Sequence, residues 1–205
     1  MVAVGVLERH TVGEDFELTL KLHRYHRDRG LPYRIEFAPD AVSWTECPAT
    51  LEVLARQRDR WHRGGFEVVW RHRRMLFNPR YGRIGLVSLP VFFLVEMLGP
   101  VVEALGYAAF VLAFALGALD AETAGLLFAL ALGIAQSVAA VALETFAFRR
   151  YRSARDLGLL LLLTVIENVG YRQLTVLWPL NGLWKFLRKD TSWGVMTRTG
   201  FATQP

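Results

Sequence analysis

Cysteine is nearly absent. Cys47 is the only one in 205 residues, so no disulfide can form within the chain. That excludes a disulfide-stapled module and fits a reducing, cytosolic face. Cys47 precedes Pro48 at an expected helix start, which favours a capping or packing role over that of a nucleophile. No glycine-rich phosphate loop and no Rossmann-like βαβ opening occurs. The five histidines show no zinc-ligand spacing. His23 and His26 share a helix without further partners, and His62 and His72 sit among arginines, so all are expected to be solvated. Met1 opens no signal peptide: Val2 to Leu7 is too short for an apolar signal core and lacks a basic flank. That stretch reads instead as a buried strand. Positive charge is missing from the middle of the chain, with no Arg, Lys or His between Arg83 and Arg149.

What is present is apolar. Hydrophobic residues make up 53% of the chain although 21% is charged, and the charge gathers in residues 1–83. This split predicts a soluble or interfacial first part and a membrane second part. The net charge of +5 then suits an anionic lipid surface better than nucleic acid. Pro100 to Leu119 and Thr123 to Leu143 each supply about 20 mostly apolar residues, enough for a span. Asp120 to Glu122 would connect them outside the membrane. Arg149 to Arg155 marks a cytoplasmic loop, which also places residues 1–83 on the cytoplasmic side. Ile84 to Met97, carrying Pro90 and Glu96, reads as an interfacial helix. Leu157 to Ile166, continued to Trp178, reads as a third membrane helix in which Glu167 and Arg172 form a buried pair. Glu103 and Glu144 are expected at interfaces. The resulting division is 1–83, an interfacial helix at 84–98, and transmembrane helices with a basic tail over 99–205.

Within the first part, Thr11 to Asp28 reads as a helix stopped by Gly30, with Glu14 and Asp15 in its first turn. Tyr33 to Phe37 and Ala41 to Trp44 read as strands, separated by a turn at Pro39-Asp40. A second helix is expected from Pro48 to about Arg63, ended by Gly64-Gly65. A basic amphipathic segment follows from Phe66 to Phe77. Gln57, Arg60 and Trp61 fall at i, i+3 and i+4 and so share one helical face. An amide, a guanidinium and an indole on one face can clamp a diphosphate and a sugar ring. Arg58 and Asp59 point elsewhere and are expected to be a solvated pair.

The order of these features, an acidic pair, then Q-x-x-R-W, then membrane helices, resembles the C-terminal part of membrane-embedded family 2 glycosyltransferases. The relatives are of the cellulose, hyaluronan and poly-N-acetylglucosamine synthase kind. Thr45-Glu46-Cys47-Pro48, Glu167 to Leu174 and Trp193-Gly194 extend the likeness over nearly the full chain. The family often has threonine where this chain has Gly13, so only the acidic pair Glu14-Asp15 is carried over. The resemblance implies an α+β fold: a partial GT-A-like cytosolic part followed by an α-helical membrane part. It makes Asp15 the base of an inverting, processive sugar transfer and Glu14 a substrate-binding residue. Trp61 falls at the acceptor end, and Gln57 and Arg60 on the donor-diphosphate side. The family's D-x-D, its metal and nucleotide signature, is absent from the seven aspartates. The Mg or Mn ligands and the nucleotide site are therefore expected outside this chain, with a missing N-terminal half as the expected partner that carries them, and the chain alone is expected to be inactive. Expected partners are a nucleotide-sugar donor, a glycan or lipid acceptor and membrane lipid, with no nucleic acid. The expected location is the inner membrane, multi-pass. A non-processive lipid glycosyltransferase and a catalytically silent membrane anchor are the alternatives.

Overall fold

The structure is a computed structural model. It describes residues 13–36, 38, 41, 43, 45–117, 119–148, 153–168 and 170–190. The expected features at Val2 to Leu7, Pro39-Asp40 and Trp193-Gly194 lie outside them. The chain forms two compact units, Met1–Pro100 with Trp178–Pro205, and Val101–Leu177.

Among the described residues there is no strand, which overturns the expected α+β, GT-A-like fold class. A strand is completed only by hydrogen bonds from a neighbouring strand. Residues 33–36 have none, although their sequence alternates. Tyr33 packs on the first helix instead: its hydroxyl lies 2.7 Å from His23 Nδ1, and its ring lies 4.9 Å from that of His26.

In the first unit, α1 runs Glu14–Arg29 and carries Glu14, Asp15 and Glu17 in its first turn, where the helix dipole favours anions. It stops at Gly30, whose φ of 64° is the left-handed conformation that glycine adopts without strain. Helix α2 runs Leu51–Arg71, with Thr50 accepting a bond from the Val53 N–H at 3.3 Å as its N-cap. The expected stop at Gly64-Gly65 is not one: both glycines are buried inside the helix. Glycine in a helix interior costs about 1 kcal/mol against alanine. Here it allows close packing. A side chain at Gly65 would meet the Met97 sulfur at 2.6 Å, and the Gly64 carbonyl lies against Gly13.

Short 3₁₀ turns at Arg73–Met75 and Pro79–Tyr81 lead to α3, a helical run over Ile84–Leu116. Its early part contains wide π-type turns at Ile84–Ser88 and Phe92–Met97, and a glycine at 85. A Cβ on Gly85 would strike the carbonyl oxygen of Asn78, and that of Met75 at 2.7 Å. Only glycine lets α3 lie this close to the turn. The core here joins Leu20 of α1, Val68 and Val69 of α2, Met75 and Tyr81 of the turns, and Leu89 of α3. Helix α7, Leu177–Leu187, closes on α2: Gly182 sits against the backbone at Asp59 and Arg63. Lys185 pairs with Asp59, Arg63 donates to the Asp190 carbonyl at 3.0 Å, and Phe186 stacks on Phe66 at 5.5 Å. Asp59, expected to be solvated, is therefore buried.

The second unit contains the rest of α3, then α4 (Leu119–Phe148), α5 (Ala154–Ile166) and α6 (Tyr171–Thr175). Residues 120–122, expected as a connection, lie in the first turn of α4. Arg172 pairs with Glu103 at 2.9 Å, not with Glu167, which is exposed. Tyr107 donates to the same Glu103 carboxylate at 2.6 Å, Gln173 donates to Tyr107 at 3.3 Å, and the Arg172 guanidinium donates to buried Asn168 at 3.3 Å. Glutamate at 103 wins this arginine because α6 brings Arg172 back beside α3, a proximity that spacing along the chain does not reveal.

One described helix, Ile84–Leu116, is by itself long and apolar enough to cross a membrane. The bent pair Arg155–Ile166 and Tyr171–Leu187 qualifies only when counted together, and Ala129–Leu143 of α4 is a shorter apolar stretch. The 33 residues of α3 measure roughly 50 Å at about 1.5 Å per residue, against about 30 Å of hydrocarbon. The first turns of α3 pack on α1 and α2.

Candidate functional site

Asp15 is exposed at the start of α1, where its Oδ1 accepts the Phe16 N–H at 2.8 Å. Glu14 beside it is half-buried. On α2, Gln57 and Arg60 are half-buried and Trp61 is 52% exposed, with the Arg58 guanidinium 5.2 Å above its ring. Arg58 is thus a partner of Trp61, not of Asp59.

Two contacts fix how the two motif helices meet. A Cβ at Gly13 would touch Val68 and the Gly64 carbonyl group at 3.5–3.6 Å. Four residues on from Gly13, Glu17 Oε1 lies 3.4 Å from His72 Nε2. Position 13 thus faces 64 and 68, and position 17 faces 72, so α1 and α2 run side by side in the same direction. Gly64 and Val68 continue the α2 face of Gln57, Arg60 and Trp61 at helical spacing. The motif residues therefore lie on the same side of α2 as Gly64 and Val68, one to two turns nearer its N-terminus. The structure brings the two motif helices into backbone contact. It gives Asp15 only local hydrogen bonds, to Phe16 N–H and from the Thr19 hydroxyl.

Two histidines expected at the surface are instead buried where α2 meets other elements. His72 and Glu17 are each about 2% exposed and face one another. Burial lowers the His72 pKa, against the raising influence of Glu17 and with the help of Arg24 and Arg71. His62 is also buried, and its Nε2–H donates to the Met97 carbonyl at 3.1 Å. Burial again lowers its pKa, against the Met97 bond and Asp59. Both histidines sit where α2 meets another element, a fact carried by no local sequence signal. His72 lies four residues past Val68, and that spacing was the one available clue.

At the far end of α1, Tyr81 donates to Asp28 at 2.8 Å and Arg80 to the Asp28 carbonyl at 3.2 Å. Burial and the Asp28 bond raise the Tyr81 pKa. No group of three His, Cys, Asp or Glu side chains able to hold a metal occurs among the described residues.

The family described as glycosyl transferase family group 2 matches residues 2–121. The probable glycosyltransferase YdaM of Bacillus subtilis (strain 168) is 34% identical over 90 residues, 44% of this chain and 20% of that protein. The poly-beta-1,6-N-acetyl-D-glucosamine synthase of Staphylococcus aureus (strain COL) is 41% identical over 71 residues, 35% of this chain and 16% of that protein. The chain thus spans about a fifth or less of the length of these curated relatives. No solved structure matches.

Proposed function

The chain belongs to glycosyl transferase family group 2, and from that premise we propose that it supplies the acceptor-side part of an inverting, processive sugar transfer at a membrane. The donor is a nucleotide-sugar and the acceptor a growing glycan. The observation that supports this reading is the seating of α1 on α2 at Gly64, Val68 and His72, on the side of α2 that also carries Gln57, Arg60 and Trp61. A carboxylate, a cation and an aromatic plane thus belong to one unit.

In this mechanism Asp15 takes the proton of the acceptor hydroxyl as its oxygen attacks the anomeric carbon. The bond from that carbon to the donor's diphosphate oxygen breaks, and configuration inverts. Asp15 stays ready for this role because a backbone N–H holds its carboxylate while one edge remains exposed. Arg60, with Gln57, attracts the departing diphosphate. The half-exposed face of Trp61 carries the acceptor sugar ring. No group of three His, Cys, Asp or Glu side chains among the described residues suits a divalent cation, and no step here passes through one. The nucleotide is held by residues other than those described.

The membrane reading rests on α3 and on charge: residues 1–83 carry most of the cations, and no Arg, Lys or His falls between 83 and 149. It places residues 1–83 on the cytoplasmic side of a multi-pass protein. Asp15→Asn in the complete enzyme tests the chemistry. Sugar incorporation in isolated membranes is expected to fall about 10²–10⁴-fold, the usual contribution of a general base, with donor binding retained. Turnover near that of the wild type would remove Asp15 from the role.

A further inference from the structure

We propose that the cavity lined by Arg24, Asp28, Arg74, Asn78, Arg80 and Tyr81 binds a phosphate-bearing group, and that the headgroup of an anionic membrane lipid is its occupant. The cavity is about 440 Å³ and lies entirely within the first unit. Three arginines line it against one carboxylate. Asp28 is already engaged, accepting from Tyr81 at 2.8 Å and lying 3.5 Å from Arg24 and 3.8 Å from Arg80. It acts as the post that holds the wall in shape. The Asn78 side chain fixes the turn, accepting the Arg80 N–H and donating to the Arg74 carbonyl, each at 3.0 Å. Arg74 makes no ion pair among the described residues, so its guanidinium remains for an incoming anion. A planar guanidinium suits phosphate oxygens, which accept two parallel bonds.

The position of the cavity favours a lipid over a free phosphate. Tyr81 ends the turn and Ile84 begins α3 three residues later, within about 10 Å by the reach of the chain. The first turns of α3 bury Leu89 in the core but leave Leu86, Val87, Val91 and Val95 about half exposed. A phosphate pocket at the root of an exposed apolar helix face matches an amphiphile, whose head is anionic and whose tails are apolar. The lipid identity rests on reading α3 as a membrane helix, whereas the phosphate pocket does not. Neither rests on glycosyl transfer.

The test uses the full chain in dodecyl maltoside. Native mass spectrometry counts retained phosphatidylglycerol against phosphatidylcholine, and calorimetry measures inorganic phosphate and pyrophosphate. The wild type is expected to retain phosphatidylglycerol preferentially. Arg74→Gln should weaken retention about fivefold, as expected for one arginine near an anionic surface, and Arg74→Gln with Arg80→Gln should weaken it further. Arg188→Gln, which removes a cation stacked on Trp184 outside the cavity, should change nothing. Because Arg80 also bonds Asp28, the Arg74 variant is read alone if the double variant melts early. Inorganic phosphate or pyrophosphate binding that is lost in Arg74→Gln, without lipid preference, keeps the pocket and overturns the lipid as its occupant. Lipid preference indifferent to Arg74, or neither lipid preference nor phosphate binding, overturns the proposal.

Discussion

Replacing Gly85 by alanine probes the closest approach in the first unit. Alanine is the better helix former by about 1 kcal/mol, so helix propensity alone says the variant is more stable. The structure says the opposite. The new methyl would strike the carbonyl oxygens of Asn78 and Met75, the latter at 2.7 Å, and lie 3.0 Å from the Tyr81 Cβ. Two of these three atoms are backbone and cannot rotate away, which puts the cost at the upper end of the 1–3 kcal/mol seen for overpacking, about 3 kcal/mol. Subtracting the propensity gain leaves a net loss of about 2 kcal/mol. For a chain of this size that lowers Tm by roughly 4–8 °C. Gly158→Ala is the matched control: it lies in α5 with nothing within 4 Å and should be neutral or slightly stabilising. Thermal unfolding of the full chain in detergent, followed by circular dichroism, measures both. If Gly85→Ala melts at or above the wild type, the packing of α3 on the 75–81 turn described here is wrong. A drop of equal size in Gly158→Ala would show that the loss does not arise at the contact.

Removing Glu17 should be costly for a different reason. Glu17→Ala leaves the buried His72 ring without its carboxylate partner, and leaving a buried ring N–H unsatisfied costs about 1–3 kcal/mol, readable by chemical denaturation; an unchanged stability would contradict the buried pairing. The pH dependence follows from both histidines. Their folded pKa values are lowered from 6.5, so the unfolded chain binds protons more readily, and the stability this gives is full above about pH 6.5 and is lost as pH falls through the folded values. Each histidine contributes a slope of at most about 1.4 kcal/mol per pH unit, and His62→Gln should flatten the acid limb of a Tm-against-pH curve; an unchanged limb would contradict the burial of His62. Trp61→Ala in the complete enzyme should slow elongation more than donor hydrolysis, by a factor equivalent to about 1–3 kcal/mol if stacking on a sugar resembles stacking on a base. Equal loss of both activities would detach Trp61 from the acceptor. Exposed Cys47 provides a topology reporter: it should resist an impermeant maleimide in intact cells, whereas a cysteine at Ala121 in a Cys47→Ser background should react.

Some of this protein could be read along the chain because the responsible forces are local. The acidic first turn of α1, the left-handed stop at Gly30 and the helical register of Gln57, Arg60 and Trp61 depend on residues within a turn of one another. The family was legible for a related reason: the order of an acidic pair, Q-x-x-R-W and apolar segments survives without knowledge of how they pack. Strands at 33–37 and 41–44 were not decidable in this way. Alternation marks a segment that could pair, but pairing needs a partner, and Tyr33 found the side of α1 instead.

The glycines mark the sharpest division. Gly64-Gly65 look like a helix end when only backbone entropy is weighed, and like the interior of a helix once Gly13 and Met97 press against them. Charge behaves similarly. Asp59, His62 and His72 have the sequence context of a solvated face, and Arg172 has Glu167 nearby in the chain. Burial and partner choice came from elements far away in sequence: Lys185, Met97, Glu17 and Glu103. The sequence by itself determined the order of its motifs, the helical face that Gln57, Arg60 and Trp61 share and where the apolar stretches fall, because helical periodicity and hydropathy are properties of neighbours. Only the tertiary structure decided that α1 packs on α2 at Gly64, Val68 and His72, which ionisable groups are buried, and that three arginines line one cavity at the root of α3. Those depend on contacts between distant segments, whose energies are set by distance and desolvation and not by order along the chain.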